Sequence, residues 1–539
     1  MRALTPARLL PILVILCASA VRSQDASTHS VLPSLFIVGD STANIHGDTD
    51  VSTENRVGWG TPFSVYFDPG KIRVVNAASA GRSSRTFINE GKWQAVVNQL
   101  KPGDYVLIQF GHNDPGPVDT EKKRGSLPGT GDEVHSVKRD DGTVEEVHTF
   151  GSYLRKYVAD SRQKGATPVL LSVTPRNIWT DGKPEMGLGH FREWTAEIAQ
   201  KENVDYVDLS RIVAREYQKL GAQKVGTFFP LDHTHTNLEG AELNAQSVVA
   251  GLKALPDAPF TPYFSAIGES VVSALEASLP LPANAALPNL WIIGDSTVRN
   301  GQGDGANGQW GWGDEIAPYF DTDRINVVNR AVGGRSSRTY FQYHWPGVLK
   351  MIKPGDVVLM QFGHNDSGPL DDKARARGTL SGNGEETKTI DNPITRQSEV
   401  VHTYGWYLRQ MIDEAKKKGA RPVVLSLIPR KVWENGKIKR ETYVTWAEQA
   451  ASHEQVPFVN LNDIIARRYD SMSHAEVDAL FGDPNTHTNL PGAKLNAKCV
   501  VEGLEALKRD PVKKFLSSSA KELPGADTGG PLSSANTTH

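Results

Sequence analysis

The stretch Ile37-Val38-Gly39-Asp40-Ser41-Thr42 occurs a second time, as Ile292-Ile293-Gly294-Asp295-Ser296-Thr297. In both places a short apolar run, Leu35 to Val38 and Leu290 to Ile293, stops at Gly-Asp-Ser. Such a run, ended by a turn signal, reads as a buried strand of a parallel sheet. A Ser just past the carboxyl end of that strand sits where open α/β sheets place their active sites. Taken alone, the same residues also make an ordinary turn and a helix N-cap. The residues downstream of each copy decide between the two.

The echoes continue in one order. Val74-Val75-Asn76 leading to Gly81-Arg82-Ser83-Ser84-Arg85-Thr86 matches Val327-Val328-Asn329 leading to Gly334-Arg335-Ser336-Ser337-Arg338-Thr339. Gln109-Phe110-Gly111-His112-Asn113-Asp114 matches Gln361-Phe362-Gly363-His364-Asn365-Asp366, and Thr234-His235-Thr236-Asn237-Leu238 matches Thr486-His487-Thr488-Asn489-Leu490. The spacing of roughly 250 residues far exceeds a solenoid period, so the repeat is a domain duplication. Within the first copy, strand-like runs (Leu35–Val38, Ile72–Val75, Tyr105–Gln109, Val169–Val173, Val204–Val207) alternate with helical patterns. Gly165 and Gly419 each close a helical pattern as a C-terminus prefers. Alternation of this kind argues a five-stranded parallel sheet covered by helices on both faces, with right-handed crossovers.

Each copy carries one long polar insertion after the Asn-Asp pair, Pro115 to Val147 and Ser367 to Val401. Loops of that length without structural signals are functional or disordered, and their position predicts that they wall a cleft. The expected organisation is a signal peptide over 1–23, domains over 30–255 and 289–510, a linker over 256–288, and a disordered tail over 511–539.

Composition narrows the class. The 539 residues, 39% hydrophobic and 22% charged, describe a globular protein with material for real cores. A net charge of −3 argues against a nucleic-acid partner, which leaves a basic footprint. Arg2 and Arg8 precede an apolar core from Leu9 to Val21 and an Ala18-Ser19-Ala20 cleavage pattern. These features predict a secreted or periplasmic protein with no membrane partner once the segment is removed. Cys17 leaves with that segment, so Cys499 has no intrachain partner.

Four blocks therefore stand in one order, twice: Gly-Asp-Ser, Gly-Arg-Ser-Ser, Gly-His-Asn-Asp, and a terminal His, preceded in the first copy by Asp232. This set resembles the SGNH (GDSL-like) hydrolases, and its wording is similar to the rhamnogalacturonan acetylesterase branch. The resemblance implies two tandem three-layer α/β/α, flavodoxin-like domains acting as carboxylic ester hydrolases on an acetylated, pectic polysaccharide. The rival readings are an esterase or lipase on another acylated substrate, such as a cell-wall glycan, and a carbohydrate-binding protein with one or both sites inactive.

A Ser hydroxyl is a poor nucleophile at its own pKa and needs an adjacent base. His235 can take the proton of Ser41, and Asp232 can hold the imidazole in the right tautomer. The family implies oxyanion donors from the backbone N–H groups of Ser41 and Gly81 and the side-chain amide of Asn113, with Ser296, Gly334 and Asn365 in the second copy. No metal or cofactor enters this scheme. His112 and His364 are rival bases, and His233 competes with His235, but position 485 is Asn while His487 keeps its match. Asp232, His233 and His235 are too closely spaced for a helical i, i+4 metal pair. Arg82, Arg85, Arg335 and Arg338 are candidate substrate-binding cations for an anionic sugar, or else structural ion-pair partners. The Trp of Gly58-Trp59-Gly60 and Gly311-Trp312-Gly313 is either core or a sugar platform.

The second copy departs at one point. Without gaps, Pro484 stands opposite Asp232, and the nearest acid, Asp483, lies four residues before His487. Ser296 and His487 keep nucleophile and base, so the second site is expected to be weakened unless the loop bulges at Pro484 and returns Asp483 to the imidazole.

Overall fold

The computed structural model describes residues 32–44, 55–119, 124–255, 258–373 and 375–521. The proposed signal peptide lies outside them. The first sheet contains β1 (Ser34–Gly39), β2 (Arg73–Asn76), β3 (Tyr105–Gln109), β4 (Thr167–Leu171) and β5 (Asp205–Val207), all parallel, in the order β2-β1-β3-β4-β5. The second contains β6 (Asn289–Gly294), β7 (Asn326–Asn329), β8 (Val357–Gln361), β9 (Arg421–Leu425) and β10 (Phe458–Val459), in the same order, β7-β6-β8-β9-β10. The two copies are thus one fold built twice.

Period-two alternation sorts each strand into two cores. Leu35, Ile37, Leu107 and Val169 join Val213 and Tyr217 of helix Leu209–Leu220 and Val248 of helix Leu238–Leu252 on one face. Phe36, Val38, Val106 and Ile108 join Leu154 of helix Phe150–Gln163 and Ile198 of helix Phe191–Lys201 on the other. Both faces being covered explains why the strands read as continuous apolar runs. Trp59 and Trp312 are fully buried, and each donates its indole N–H to a core glutamine, Gln109 at 2.8 Å and Gln361 at 2.7 Å. Both are core residues, and neither is a sugar platform. Cys499 is a buried free thiol.

The structure refines the expected organisation at three places. Each insertion contains a hairpin among its described residues: Val134–Lys138 pairs antiparallel with Val144–His148, and Thr387–Asp391 with Ser398–His402. The described part of the linker packs against both domains. Its Phe260, Phe264 and Val271 complete the first core, Phe67 bridges to Phe264, and Leu279 enters a core of the second domain. Glu276 then anchors the second domain, accepting from Arg330 Nη2 and meeting His344 Nδ1 at 2.7 Å. The tail repeats the same device. Phe320 bridges to Leu516, and Val512, Phe515 and Ala520 are buried, so the second domain runs past 510 to about the end of the described chain. Residues 522–539 lie outside the described residues. The two additions share a short signal, Pro259-Phe260-x-x-Tyr263-Phe264-Ser265 against Pro511-Val512-x-x-Phe515-Leu516-Ser517. It is too sparse to read as an element.

The domains stand head to tail. Tyr105 and Thr167 open β3 and β4, at the sheet edge opposite Ser41. Arg396 of the second domain's hairpin region donates to Gly103 O at 2.7 Å and lies 5.0 Å from the Tyr105 ring centroid. The end of the second domain that carries its insertion therefore faces the back edge of the first.

If 511–521 belong to the second core, Phe515→Ala costs about 3 kcal/mol or more of that domain's stability. Chemical denaturation would measure it; a change within about 0.5 kcal/mol, as for a surface tail, would return this segment to the disordered class.

Candidate active site

Each site begins where its first strand ends. Asp40, fully buried, accepts from Thr42 N at 2.9 Å and Thr42 Oγ1 at 2.8 Å. Asp295 does the same with Thr297, at 2.9 and 2.7 Å. The chain thus turns sharply after Gly39 and Gly294. A Cβ at either glycine would fall within 2.7 Å of the adjacent strand's carbonyl, Gln109 O or Gln361 O. The turn leaves Ser41 and Ser296 at the carboxyl edge of their sheets.

The bases arrive from the other end of the sequence. Asn237 caps the helix Leu238–Leu252, accepting from Gly240 N at 3.0 Å, and so fixes the segment carrying His235. His235 Nε2 lies 2.8 Å from Ser41 Oγ, and its Nδ1 lies 2.7 Å from Asp232 Oδ2. The other oxygen of Asp232 accepts from Thr234 N at 2.7 Å and His235 N at 2.8 Å. Burial opposes ionisation of Asp232, but these donors outweigh it and hold its carboxyl down at about 2. It is an anion throughout the physiological range.

The second site has the same chain of contacts. His487 Nε2 lies 2.8 Å from Ser296 Oγ, and His487 Nδ1 lies 2.5 Å from Asp483 Oδ2. Asp483 Oδ1 accepts from Asn485 N, Thr486 N and His487 N at 3.0, 2.7 and 3.0 Å. The extra residue is absorbed in that turn, which gathers three backbone donors where the first site gathers two. Burial again works against the anion, and the donors from Thr486 and His487 lower the pKa of Asp483. The ungapped alignment suggests a loss of the orienting acid, and the geometry supplies one.

The glycines of the second block take the left-handed conformation, Gly81 at φ 74° and Gly334 at φ 77°, which side chains rarely adopt. Asn113 Nδ2 donates to Arg82 O at 3.0 Å and Asn365 Nδ2 to Arg335 O at 2.9 Å. A carboxamide has two N–H donors, so each Asn is oriented by one and retains the other. His112 meets Thr174 Oγ1 at 3.3 Å, and His364 lies between Asp295 Oδ2 at 3.2 Å and Ile428 O at 3.1 Å. Neither contacts a nucleophile. His233 is exposed, and its backbone carbonyl accepts from Asn177 N at 2.8 Å.

The arginines divide. Arg85 is fully buried, paired through Nε and Nη2 to Glu145, with Nη1 on Val118 O and Gly125 O at 3.0 and 2.7 Å. Arg338 is held identically by Glu399, Leu370 O and Gly378 O. These two pin the insertion to the helix beginning at Ser84 or Ser337. The expectation that they bind substrate is corrected, because Nε and both terminal nitrogens are engaged within the protein. Arg82 is partly exposed and pairs with Glu90 at 2.8 Å. Arg335 lies in the wall of the second cleft beside Ser296 and His487. The rest of the block is capping. Ser83 and Ser336 form capping boxes with Thr86 and Thr339, while Ser84 and Ser337 donate to the buried Asp114 and Asp366. Burial pushes both carboxyls up to about 7 against those donors.

Residue-level reading misses the arginines of the insertions. Arg124 Nη1 donates to Gly81 O at 3.2 Å and Asn113 Oδ1 at 2.9 Å, tying together two of the expected oxyanion donors. Arg377 Nη1 donates to Gly334 O at 3.0 Å. The signal is present, since Arg124-Gly125-Ser126-Leu127 recurs as Arg377-Gly378-Thr379-Leu380, but polar insertions carry no periodicity to draw attention to it.

A structural Arg85 makes a distinct prediction. Arg85→Gln removes the buried guanidinium from Glu145, which keeps only Arg139 as a cation, at 2.8 Å, and destabilises the first domain by about 2–3 kcal/mol, the scale of lost hydrogen bonds to a charged group. Unfolding read by intrinsic fluorescence would check it; unchanged stability with a selective loss of substrate affinity would restore the binding role.

The GDSL-like Lipase/Acylhydrolase family matches residues 37–243 and again 292–495. A rhamnogalacturonan acetylesterase of Emericella nidulans is 35% identical over 223 residues, covering 40% of this chain and 86% of that protein. A probable rhamnogalacturonan acetylesterase of Bacillus subtilis, YesY, is 31% identical over 229 residues, covering 41% of this chain and 93% of that protein. Among solved structures, an acetylxylan esterase of Geobacillus stearothermophilus, Axe2, aligns with a TM-score of 0.28 at 16% identity, over 41% of this chain and 94% of that one. The two acetylesterase relatives each correspond in length to one of the two copies. The chain belongs to the GDSL-like lipase/acylhydrolase family twice over and is a carboxylic ester hydrolase of the SGNH type.

Proposed function

We propose that this protein is an exported carbohydrate acetylesterase with two working Ser-His-Asp sites, removing O-acetyl groups from a rhamnogalacturonan-like pectic polysaccharide. The observation that carries the chemistry is the hydrogen-bonded chain from Ser41 through His235 to Asp232 and its counterpart from Ser296 through His487 to Asp483. The names of the relatives in Emericella nidulans and Bacillus subtilis support the substrate, and the apolar segment from Leu9 to Val21 supports export.

In the first step Ser41 Oγ attacks the acetyl carbonyl carbon while His235 Nε2 takes the hydroxyl proton. Asp232, held as an anion, stabilises the imidazolium and keeps Nδ1 protonated. The carbonyl oxygen becomes an oxyanion within reach of the Ser41 and Gly81 amides and the free Asn113 N–H, each such donor lowering the barrier by about 3–4 kcal/mol. Collapse breaks the bond to the sugar oxygen, which receives the proton from His235 and leaves as the free hydroxyl. Water then attacks the acetyl-serine with His235 again as base, releasing acetate and restoring Ser41. Ser296, His487 and Asp483 perform the same sequence with Gly334 and Asn365.

Acetate release from acetylated rhamnogalacturonan tests this. Ser41→Ala and Ser296→Ala should each retain the other site's share, and the double variant should fall by about 10⁴-fold or more. Full activity in the double variant would overturn the nucleophiles. Release from acetylated xylan but not from rhamnogalacturonan would overturn the substrate.

A further inference from the structure

The two catalytic ends do not meet the same surroundings. A cavity of about 450 Å³ contains Ser296, His487 and Arg335, and its wall is completed by Ala254 of the first domain and Leu275 of the connecting segment. Arg375 also lines it. The same Arg375 lines a second cavity, of about 580 Å³, bounded by Lys373 and Arg396 on one side and by Arg162, Tyr105 and Asp205 of the first domain on the other. Arg375 therefore stands at the junction between the second nucleophile's pocket and a groove between the domains. It reaches close to the catalytic end: a Cβ on Gly334 would lie 3.9 Å from Arg375 Nη1.

The charge along this path is one-sided. Lys373 and Arg375 are exposed side chains of the insertion. Arg396 and Arg162 spend one donor each on backbone carbonyls, Gly103 O at 2.7 Å and Asn203 O at 2.8 Å, and these neutral partners leave their charge uncompensated. The only carboxylate lining the groove among the described residues is Asp205, whose burial raises its pKa to about 6. Walls of low dielectric focus such a field on an anionic ligand, and guanidinium groups match carboxylates in planar, two-point geometry. Nothing in the acyl-transfer chemistry calls for these cations, which lie beyond the nucleophile and the oxyanion donors.

We propose that the groove between the domains is a binding site for a uronate-bearing saccharide chain, which it guides to Ser296, with Arg375 and Lys373 of the second domain and Arg162 of the first meeting its carboxylates. This rests on the reading of Ser296 as an esterase nucleophile acting on sugar esters, and it makes the second site a product of both domains. The path leads to Ser296 alone, since the first nucleophile lies at the opposite edge of its own sheet.

Binding separates this proposal from catalysis. In the full chain carrying Ser41→Ala and Ser296→Ala, trigalacturonate is titrated by calorimetry, with a neutral oligosaccharide of the same length as control. The parent should bind the anionic probe saturably and more tightly than the neutral one, and added salt should weaken the difference. Lys373→Gln with Arg375→Gln should weaken trigalacturonate binding about tenfold or more, the scale of one lost charged hydrogen bond. Arg162→Gln, in the other domain, should weaken it in the same direction, while melting curves confirm folding. No saturable binding by the parent, equal affinity for the neutral probe, or an unaltered Kd in both variants would overturn the groove. Hydrolysis by Ser296 is read separately on a neutral acetate ester, so failure there would count against the esterase reading and not against the groove.

Discussion

The whole arrangement hangs on a buried carboxylate at the end of one strand. Asp40 and Asp295 are fully enclosed, and each closes a two-residue loop on the backbone and hydroxyl of the following Thr. A buried polar oxygen stripped of its donors would be costly, which holds the turn in this form. The neighbouring strand reinforces it: Gln109 accepts from Thr42 Oγ1 at 3.2 Å and Trp59 Nε1 at 2.8 Å, while Gln361 donates to Thr297 Oγ1 at 2.7 Å. A Ser on this turn is held in place by the core and needs no movement to meet its base. Everything else in the site comes to the Ser.

Each remaining part is delivered by a different segment and tied back to the same frame. The terminal helix caps deliver His235 and His487. The left-handed glycines and the oriented carboxamides are the proposed oxyanion donors, and Arg124 ties Gly81 to Asn113 directly. The insertion that supplies Arg124 is itself bolted down by the buried Arg85–Glu145 pair, as Arg377's insertion is by Arg338–Glu399. Residues far from Ser41 and Ser296 therefore fix the geometry around them, the kind of support that the proposed chemistry would draw on.

Much of this is legible in the sequence, because both the repeat and the apolar strands leave strong local patterns. The five strands per copy, and the proposed nucleophiles, bases and Asp232, all sit in motifs that occur twice or at strand ends. Asp483 is legible only as an alternative, since the position of a carboxylate in a turn depends on how Pro484 and three backbone donors fold around it. The arginines of the Gly-Arg-Ser-Ser-Arg block mislead for a physical reason: a guanidinium that locks a buried carboxylate and one that greets a substrate use the same residue and the same spacing. Partners such as Glu145 lie 60 residues away in sequence, and only the folded chain reveals which arginine is already taken. The connecting segment and the last turns of the second domain escape a sequence reading because a few buried side chains, Phe264, Val271, Phe515 and Ala520, decide their fate amid polar surroundings.

Duplication usually yields two copies free to diverge, and here the divergence is positional. The proposed nucleophiles and bases make like contacts, but one copy faces the back of the other, and the carboxylate on His487 is one residue displaced. Both copies should nonetheless carry a competent nucleophile. Intact-mass spectrometry after treatment with an excess of an organophosphate ester measures this directly, because only a serine activated by its histidine is phosphorylated. The expected result is two adducts per chain, mapped by peptide analysis to Ser41 and Ser296, with the second lost when His487 is replaced by Ala. A single adduct confined to Ser41 would contradict it.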